Sequence, residues 1–199
     1  MSVRLATDAD ADRMAAQLCR SFFDDPVISH VFRNEARRTE GMRRYFTTQM
    51  RGDYLPFGGC YTTDDYQGSA IWAPAGKPLL TGLAGLVNLV SVLPYVAAHL
   101  ASTLRMLNLI ESLHPHEPHW YLAILGADPS CQGKGVGTAL MRPVLEHCDR
   151  QGLPAYLESS KERNLPFYSR HGFTVTKEVV LPGGGPKIWP MWRDPQDIV

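Results

Sequence analysis

The chain has 199 residues, with 20 Lys plus Arg against 20 Asp plus Glu and a sequence pI near 7.0. That length suits one domain, or a core with an insertion, and the charge balance lacks the basic footprint of a nucleic-acid binder. The cysteines Cys19, Cys60, Cys131 and Cys148 have no paired spacing, so neither a zinc site nor a disulfide framework is expected. Free thiols in a reducing, cytoplasmic compartment fit better, and the first residues contain no apolar signal core.

In chain order, Val3 to Ala6 alternates as a first strand, and Thr7 or Asp8 can cap the helix that follows. Met14, Leu18, Phe22 and Phe23 lie at helical spacing and predict a core face, ended by Asp24-Asp25-Pro26. A short apolar piece over 27–32 precedes a polar helix over 36–50 with Met42, Tyr45, Phe46 and Met50 on one face. Residues 58–63 and 68–72 read as two strands joined by a hairpin turn. After a break at 74–78 comes a helical insertion, about 78–113, kinked or split at Pro94.

The apolar part of that insertion, 79–100, is long enough to span a bilayer. Gly82, Gly85, Pro94, Asn88 and Ser91 interrupt it, and it has no tight aromatic or basic flanks, so a buried or pocket-lining helix is expected instead. The run His114-Pro115-His116-Glu117-Pro118-His119 offers four metal-type ligands, but its prolines hold it extended without helical pairing, so no metal site is expected.

A strand over 120–127 then leads through Asp128-Pro129-Ser130 into Gln132-Gly133-Lys134-Gly135-Val136-Gly137-Thr138 and an amphipathic helix. A strand, a small-residue loop and a helix N-terminus present free backbone N–H groups, which is a recipe for holding phosphate. A Walker A loop needs Ser or Thr after the lysine, and Gly135 follows Lys134. The dinucleotide pattern G-x-G-x-x-G fails too, since its third glycine falls on Thr138 or Leu140.

Beyond this stretch a strand is predicted over 154–160, a short helix over 163–171 closed by Gly172, and a strand over 173–181. A final strand over 187–192 has Pro190 suited to an edge.

What Gln132, Gly135 and Gly137 do match is Gln-x-x-Gly-x-Gly, which resembles the acetyl-CoA-binding motif of the GNAT N-acetyltransferase family. Downstream, Asn164 to Phe173 resembles that family's Asn-x-x-x-(Phe/Tyr)-Tyr-x-x-x-Gly-Phe segment. The resemblance covers the C-terminal half well and the N-terminal half by element order only. It implies a single domain over 1–199, of mixed α/β (α+β) class, with a mostly antiparallel, curved sheet and helices on both faces.

The same resemblance implies acetyl-CoA as co-substrate, and no metal. Backbone N–H groups of Gly133, Lys134, Gly135, Val136, Gly137 and Thr138 would cradle the pyrophosphate, with a further hydroxyl from Thr138 and charge from Lys134. Leu125, Gly126 and Ala127 would pair with the pantetheine amides, Gly126 being compatible with a bulge or a close backbone approach. A backbone N–H of that strand would polarise the thioester carbonyl. Asn164 would bond the CoA arm, and Tyr168 would protonate the departing thiolate, a phenol of ordinary pKa near 10 being a suitable donor. Cys131, beside the phosphate loop, is not expected to act as a nucleophile.

Attack needs a neutral amine and hence a base. Glu158 is the first choice because Tyr156, Glu158 and Ser160 share a strand face; His119, His30 and Asp25 stand behind it. Residues 22–32 and the insertion should build the acceptor pocket, with Phe22, Phe23, Tyr54, Tyr61 and Trp72 as its aromatic lining. The expected acceptor is the primary amine of a small molecule, an antibiotic-like amine among the candidates. A protein or peptide amine, or a non-catalytic acyl-CoA-binding domain, is the alternative. No nucleic acid or membrane partner is expected, and the oligomeric state stays open, a homodimer included.

Overall fold

A computed structural model describes residues 1–76 and 82–197, without the side chains of 82–86. The elements run β1 (Val3–Leu5), α1 (Ala11–Phe22), α2 (Pro26–Val31), α3 (Glu35–Gln49), β2 (Cys60–Thr63), β3 (Gly68–Ala73), α4 (Gly82–Val96) and α5 (Leu100–Leu113). They continue β4 (Trp120–Ala127), α6 (Val136–Gln151), β5 (Ala155–Ser159), α7 (Leu165–Ser169), β6 (Thr174–Val175), β7 (Val179–Val180) and β8 (Lys187–Arg193).

The strands form one sheet in the order β1-β2-β3-β4-β5-β8-β6, with β7 also on β8. Every pairing is antiparallel except β4 with β5. The mixed α/β, mostly antiparallel sheet expected from the sequence is therefore present, with helices on both faces. On one face α1 and α3 (Met14, Leu18, Met42, Phe46) bury Cys60, Ile71 and Ile124. On the other, α6 and α7 (Leu140, Met141, Tyr168) bury Ala70, Trp72, Leu122, Ala155 and Leu157.

Leu122 and Ile124 are two apart yet face opposite layers, which a regular strand forbids. The cause is a bulge: Trp72 pairs with Leu122 and Ile71 with Ile124, so Ala123 is the extra residue. The bulge thus lies at Ala123 rather than at Gly126. Gly126 is instead the point of close approach. A Cβ there would sit 2.9 Å from Leu18 Cδ2 and 2.9 Å from Phe22 Cε2, so the glycine lets α1 rest on β4.

Thr7 and Asp10 start the first helical turn, the Thr7 N–H and hydroxyl both donating to Asp10 Oδ2 (2.8 and 3.0 Å). The piece over 27–32 is helical because Asp25 accepts from the N–H groups of Val27 and Ile28 (3.0 and 3.2 Å) and Pro26 occupies the first turn. Met50 to Tyr54 forms a π-helical turn at the end of α3.

The insertion departs from expectation in two ways. Pro94 stays inside α4, and the split comes after Val96, at a 3-10 turn over Ala97–His99. Its burial is also one-sided: Val96 is buried with Val92 and Tyr95 against the α1/α3 core, while Val87, Val90 and Leu93 are 49%, 59% and 38% exposed. By length and composition Val87–Leu113 forms a helical stretch able to cross a membrane, with mean hydropathy 1.4. The predicted break at Lys77-Pro78 and the insertion's first residues, through Thr81, lie outside the described residues. Met106 of α5 packs with Leu181 and Ile188, which ties the insertion to the C-terminal hairpin.

The strand expected over 173–181 is broken into β6 and β7, and β8 lies inside the sheet between β5 and those two short strands. Pro190 is therefore not on an edge. Its carbonyl accepts from Thr176 N–H (2.9 Å), so its missing donor faces the same side, where the neighbouring strand is interrupted.

Candidate active site

β4 and β5 pair over two positions only, Trp120 with Ala155 and Tyr121 with Tyr156, and then diverge. The divergence opens a cleft of about 630 Å³. One wall is β4 from Leu122 to Ala127, the other is β5 and α7, and the floor is the glycine loop with the start of α6. Ser21, Phe22 and Asp25 close the end nearest α1.

The loop keeps its shape through left-handed backbone at Gly133 (φ 76°) and Gly135 (φ 82°). α6 begins directly after, so the N–H groups of Val136, Gly137 and Thr138 have no intrahelical acceptor and sit at the positive end of the helix dipole. Gly137 is small for another reason: a Cβ there would come within 3.0 Å of Phe167 Cζ, where α7 rests on α6.

Two expected phosphate donors are otherwise engaged. Exposed Lys134 donates through Nζ to the Ser130 carbonyl (3.0 Å). His171 Nδ1 faces the Phe167 carbonyl (2.8 Å), which only accepts, so Nε2 is left to receive the Thr138 hydroxyl proton (3.1 Å). Gln132 is exposed at the loop's start. Cys131 is buried in the α6-side core and also lines the cleft beside the loop.

On β4 the Gly126 and Ala127 carbonyls already accept from α1, from Gln17 Nε2 (3.0 Å) and Ser21 Oγ (2.8 Å). By the β3 ladder, Gly126 turns its backbone groups to Ser69, whereas Leu125 and Ala127 turn theirs away from β3 and toward the cleft. The bulge at Ala123 lies where β5 departs, and it turns the backbone there out of the regular ladder.

Asn164 and Tyr168 come to the cleft from the opposite wall. Asn164 ends a 3-10 turn and caps α7. Tyr168 is 9% exposed, and among the described residues no group hydrogen-bonds its hydroxyl. Burial and the nearby Asp25 carboxylate hold its pKa well above the ordinary phenol value, so it stays protonated throughout the neutral range. Asp25 itself accepts from Ser160 Oγ at 2.5 Å as well as capping α2, which leaves it poorly placed to act as a free base.

Glu158 lines the cleft with its side chain 9% exposed. Tyr121 donates its hydroxyl to Oε2 (2.9 Å). Oε1 is 3.2 Å from His114 Nε2 but off the direction of a hydrogen bond, so that buried oxygen has no donor. His114 was not singled out in the sequence. It ends α5 and stacks edge-on against Tyr121 (4.5 Å between centroids) and Tyr156 (5.1 Å). The one available signal was its place in the histidine-rich run, with a buried carboxylate strand still to come.

His119 and His30 lie outside the cleft lining. His119 has Nδ1 on the Glu117 carbonyl (2.7 Å), and burial lowers its pKa. His30, on α2, faces Arg33 beyond the helix end. Of the expected aromatic lining only Phe22 is at the cleft. Phe23 lies under Arg38, Tyr54 is core, and Tyr61 and Trp72 pack on the α6 face. Among the described residues no group of His, Cys, Asp and Glu is arranged to hold a metal.

A splayed β4/β5 pair, a glycine loop opening a helix at its floor, an unpartnered phenol and a buried carboxylate thus meet in one cleft. The sequence model of the acetyltransferase (GNAT) family matches residues 80–173, the span carrying most of these elements. An uncharacterised N-acetyltransferase of Schizosaccharomyces pombe is 28% identical over 94% of this chain and 80% of its own length. A Corynebacterium glutamicum structure described as histone acetyltransferase HPA2 and related acetyltransferase covers 100% of this chain and 98% of its own, at TM-score 0.73 and 23% identity. A Drosophila melanogaster polyamine N-acetyltransferase covers 97% and 99%, at TM-score 0.64 and 12% identity. The protein is an enzyme, an acetyltransferase of the GNAT type.

Proposed function

We propose that this protein transfers the acetyl group of acetyl-CoA to the primary amine of a small molecule. What carries the reading is one cleft in which Tyr168 of α7 and Glu158 of β5 both face β4 across the splay, with the α6 N–H groups at the floor. In this reading the Val136, Gly137 and Thr138 N–H groups hold the pyrophosphate, and Leu125 to Ala127 and Asn164 hold the pantetheine arm. The β4 backbone at the Ala123 bulge stabilises charge developing on the thioester oxygen. Glu158 takes a proton from the acceptor ammonium, the freed amine attacks the acetyl carbon, and Tyr168 gives its proton to the thiolate as the C–S bond breaks. The tyrosinate recovers a proton from the nitrogen that has become an amide.

The acceptor class rests on local likeness. The runs QGKGVG, LPAYLES, RNLPFY and GFTV, with Pro143 inside α6, resemble puromycin N-acetyltransferase. This favours an aromatic, antibiotic-like amine. The named polyamine activity of the fly relative favours small amines more broadly. Thiol release from acetyl-CoA should be followed across aromatic amines, polyamines and lysine peptides. Turnover confined to small amines supports the reading, and turnover confined to peptides replaces it. Coenzyme A binding without turnover on any of them refutes it.

A further inference from the structure

We propose that His114 is the outlet for the acceptor's proton, receiving it at Nε2 from Glu158 and passing it to solvent through the loop over 115–118. The inference rests on the proposed reading of Glu158 as base.

The stoichiometry requires an outlet. An ammonium acceptor enters with three N–H protons. The amide product keeps one and the thiol keeps one, so one must leave the site in every turnover. Glu158 holds it only until the next acceptor arrives.

The surroundings of Glu158 leave few groups to take it. Tyr54 from the π-helical turn, Tyr121 from β4 and Tyr156 from β5 face the carboxylate, as do His114 and His119 from the loop after α5. Pro190 pairs with Glu158 across β8 and offers no proton site. Among the described residues no lysine or arginine forms an ion pair with Glu158. The three phenols are buried and already protonated, so they donate hydrogen bonds but accept no proton.

His114 is nearest. Its Nε2 is 3.2 Å from Oε1, the one carboxylate oxygen without a donor, while Tyr121 occupies the other. The proton that Oε1 gains from the amine therefore has Nε2 as its next basic atom. Once the His114 ring turns into line with Oε1, the Glu158 O–H bond breaks as the His114 N–H bond forms, which regenerates the carboxylate. The imidazolium then loses a proton to water at the partly open side of the ring, 12% of the side chain being exposed next to the exposed residues 116–118. The insertion fixes this geometry. α5 is anchored on the C-terminal hairpin through Met106, Leu181 and Ile188, and His114 is its last turn's cap.

Two substitutions separate proton transfer from packing. His114→Phe keeps a ring against Tyr121 and Tyr156 but accepts no proton; His114→Ala leaves room for a small base. With the best acceptor of the amine panel, kcat should fall about 10- to 100-fold in both, with the KM for acetyl-CoA unchanged. Imidazole added to the buffer should restore the Ala variant in a concentration-dependent, saturating way and leave the Phe variant slow. A Phe variant with wild-type kcat overturns the proposal, even if the Ala variant fails to fold. So does an Ala variant that binds coenzyme A normally yet gains nothing from imidazole. Loss of turnover in Glu158→Gln with wild-type His114→Phe removes the relay alone. Wild-type turnover in Glu158→Gln removes the base as well.

Discussion

Tyr168 shows how one side chain meets two demands. It belongs to the apolar core under α6, yet its hydroxyl reaches the cleft without a partner. Replacing it with Phe keeps the packing and removes only the proton. The expected result is a drop in kcat of about 10² or more, with coenzyme A affinity within twofold of wild type, read by steady-state kinetics and calorimetry. Asp10 is the residue that most clearly ties stability to pH. It accepts from Arg4 Nη2 (2.7 Å), Tyr66 OH (2.6 Å) and the Thr7 N–H (2.8 Å), and the Arg4 guanidinium above all holds its carboxyl far below the usual range. A depressed folded-state value means the stabilisation is complete above the unfolded carboxylate's pKa, about 3.9, and drains away as pH falls below it. Asp10→Asn should therefore lower Tm at pH 7 and flatten the loss of Tm below about pH 4 relative to wild type. A parallel loss in both proteins would detach Asp10 from the acid limb.

At the scale of elements, two glycines at the cleft are small for opposite reasons, and substitution should tell them apart. An alanine at 126 collides with Leu18 and Phe22 and lifts α1 from β4, an overpacking cost of about 1–3 kcal/mol. An alanine at 135 meets nothing within 4 Å but must hold φ at 82°, a strain of about 1–2 kcal/mol carried by the anion loop alone. Gly126→Ala should lower Tm by roughly 2–12 °C. Gly135→Ala should lower Tm by roughly 2–8 °C and, unlike Gly126→Ala, also weaken coenzyme A by about tenfold. Equal effects on both readouts from both variants would contradict this division. The sequence made the loop and helix legible because a glycine run before an amphipathic helix has few other uses. It hid the Ala123 bulge, since pairing with β3 decides which residue of WYLAILGA is the extra one. It also hid the break in 173–181: the alternation there is sound, but Pro190 withdraws its donor from across the sheet. Likewise, nothing in a local apolar pattern separates a buried helix from α4, whose outer valines face solvent.

Across the whole molecule the site is made where the two cores meet. The donor side, with Tyr168, Leu125 and Phe167, belongs to the α6 layer; Phe22 and Tyr121 belong to the α1/α3 layer. The donor side was readable because its residues fall within one contiguous stretch and one short helix. The acceptor side is poorly legible in sequence because Asp25, His114, Tyr121 and Glu158 come to the site only after the sheet has splayed and the insertion has docked, and no spacing encodes that. The same geometry predicts how ligand binding acts on stability. Coenzyme A would bridge β4, α6 and α7, three elements that a local opening of the splay would separate. A ligand bound only by the folded state at 100 times its Kd adds about 2.7 kcal/mol. For a chain of this length that is a rise in Tm of roughly 5–11 °C. Asn164→Ala and Gly135→Ala should shrink the rise, because both act on the donor side. Glu158→Gln and His114→Phe should leave it intact, because those groups sit beyond the thioester end. A rise that disappears with Glu158→Gln and survives Gly135→Ala would place coenzyme A on the wrong side of the splay.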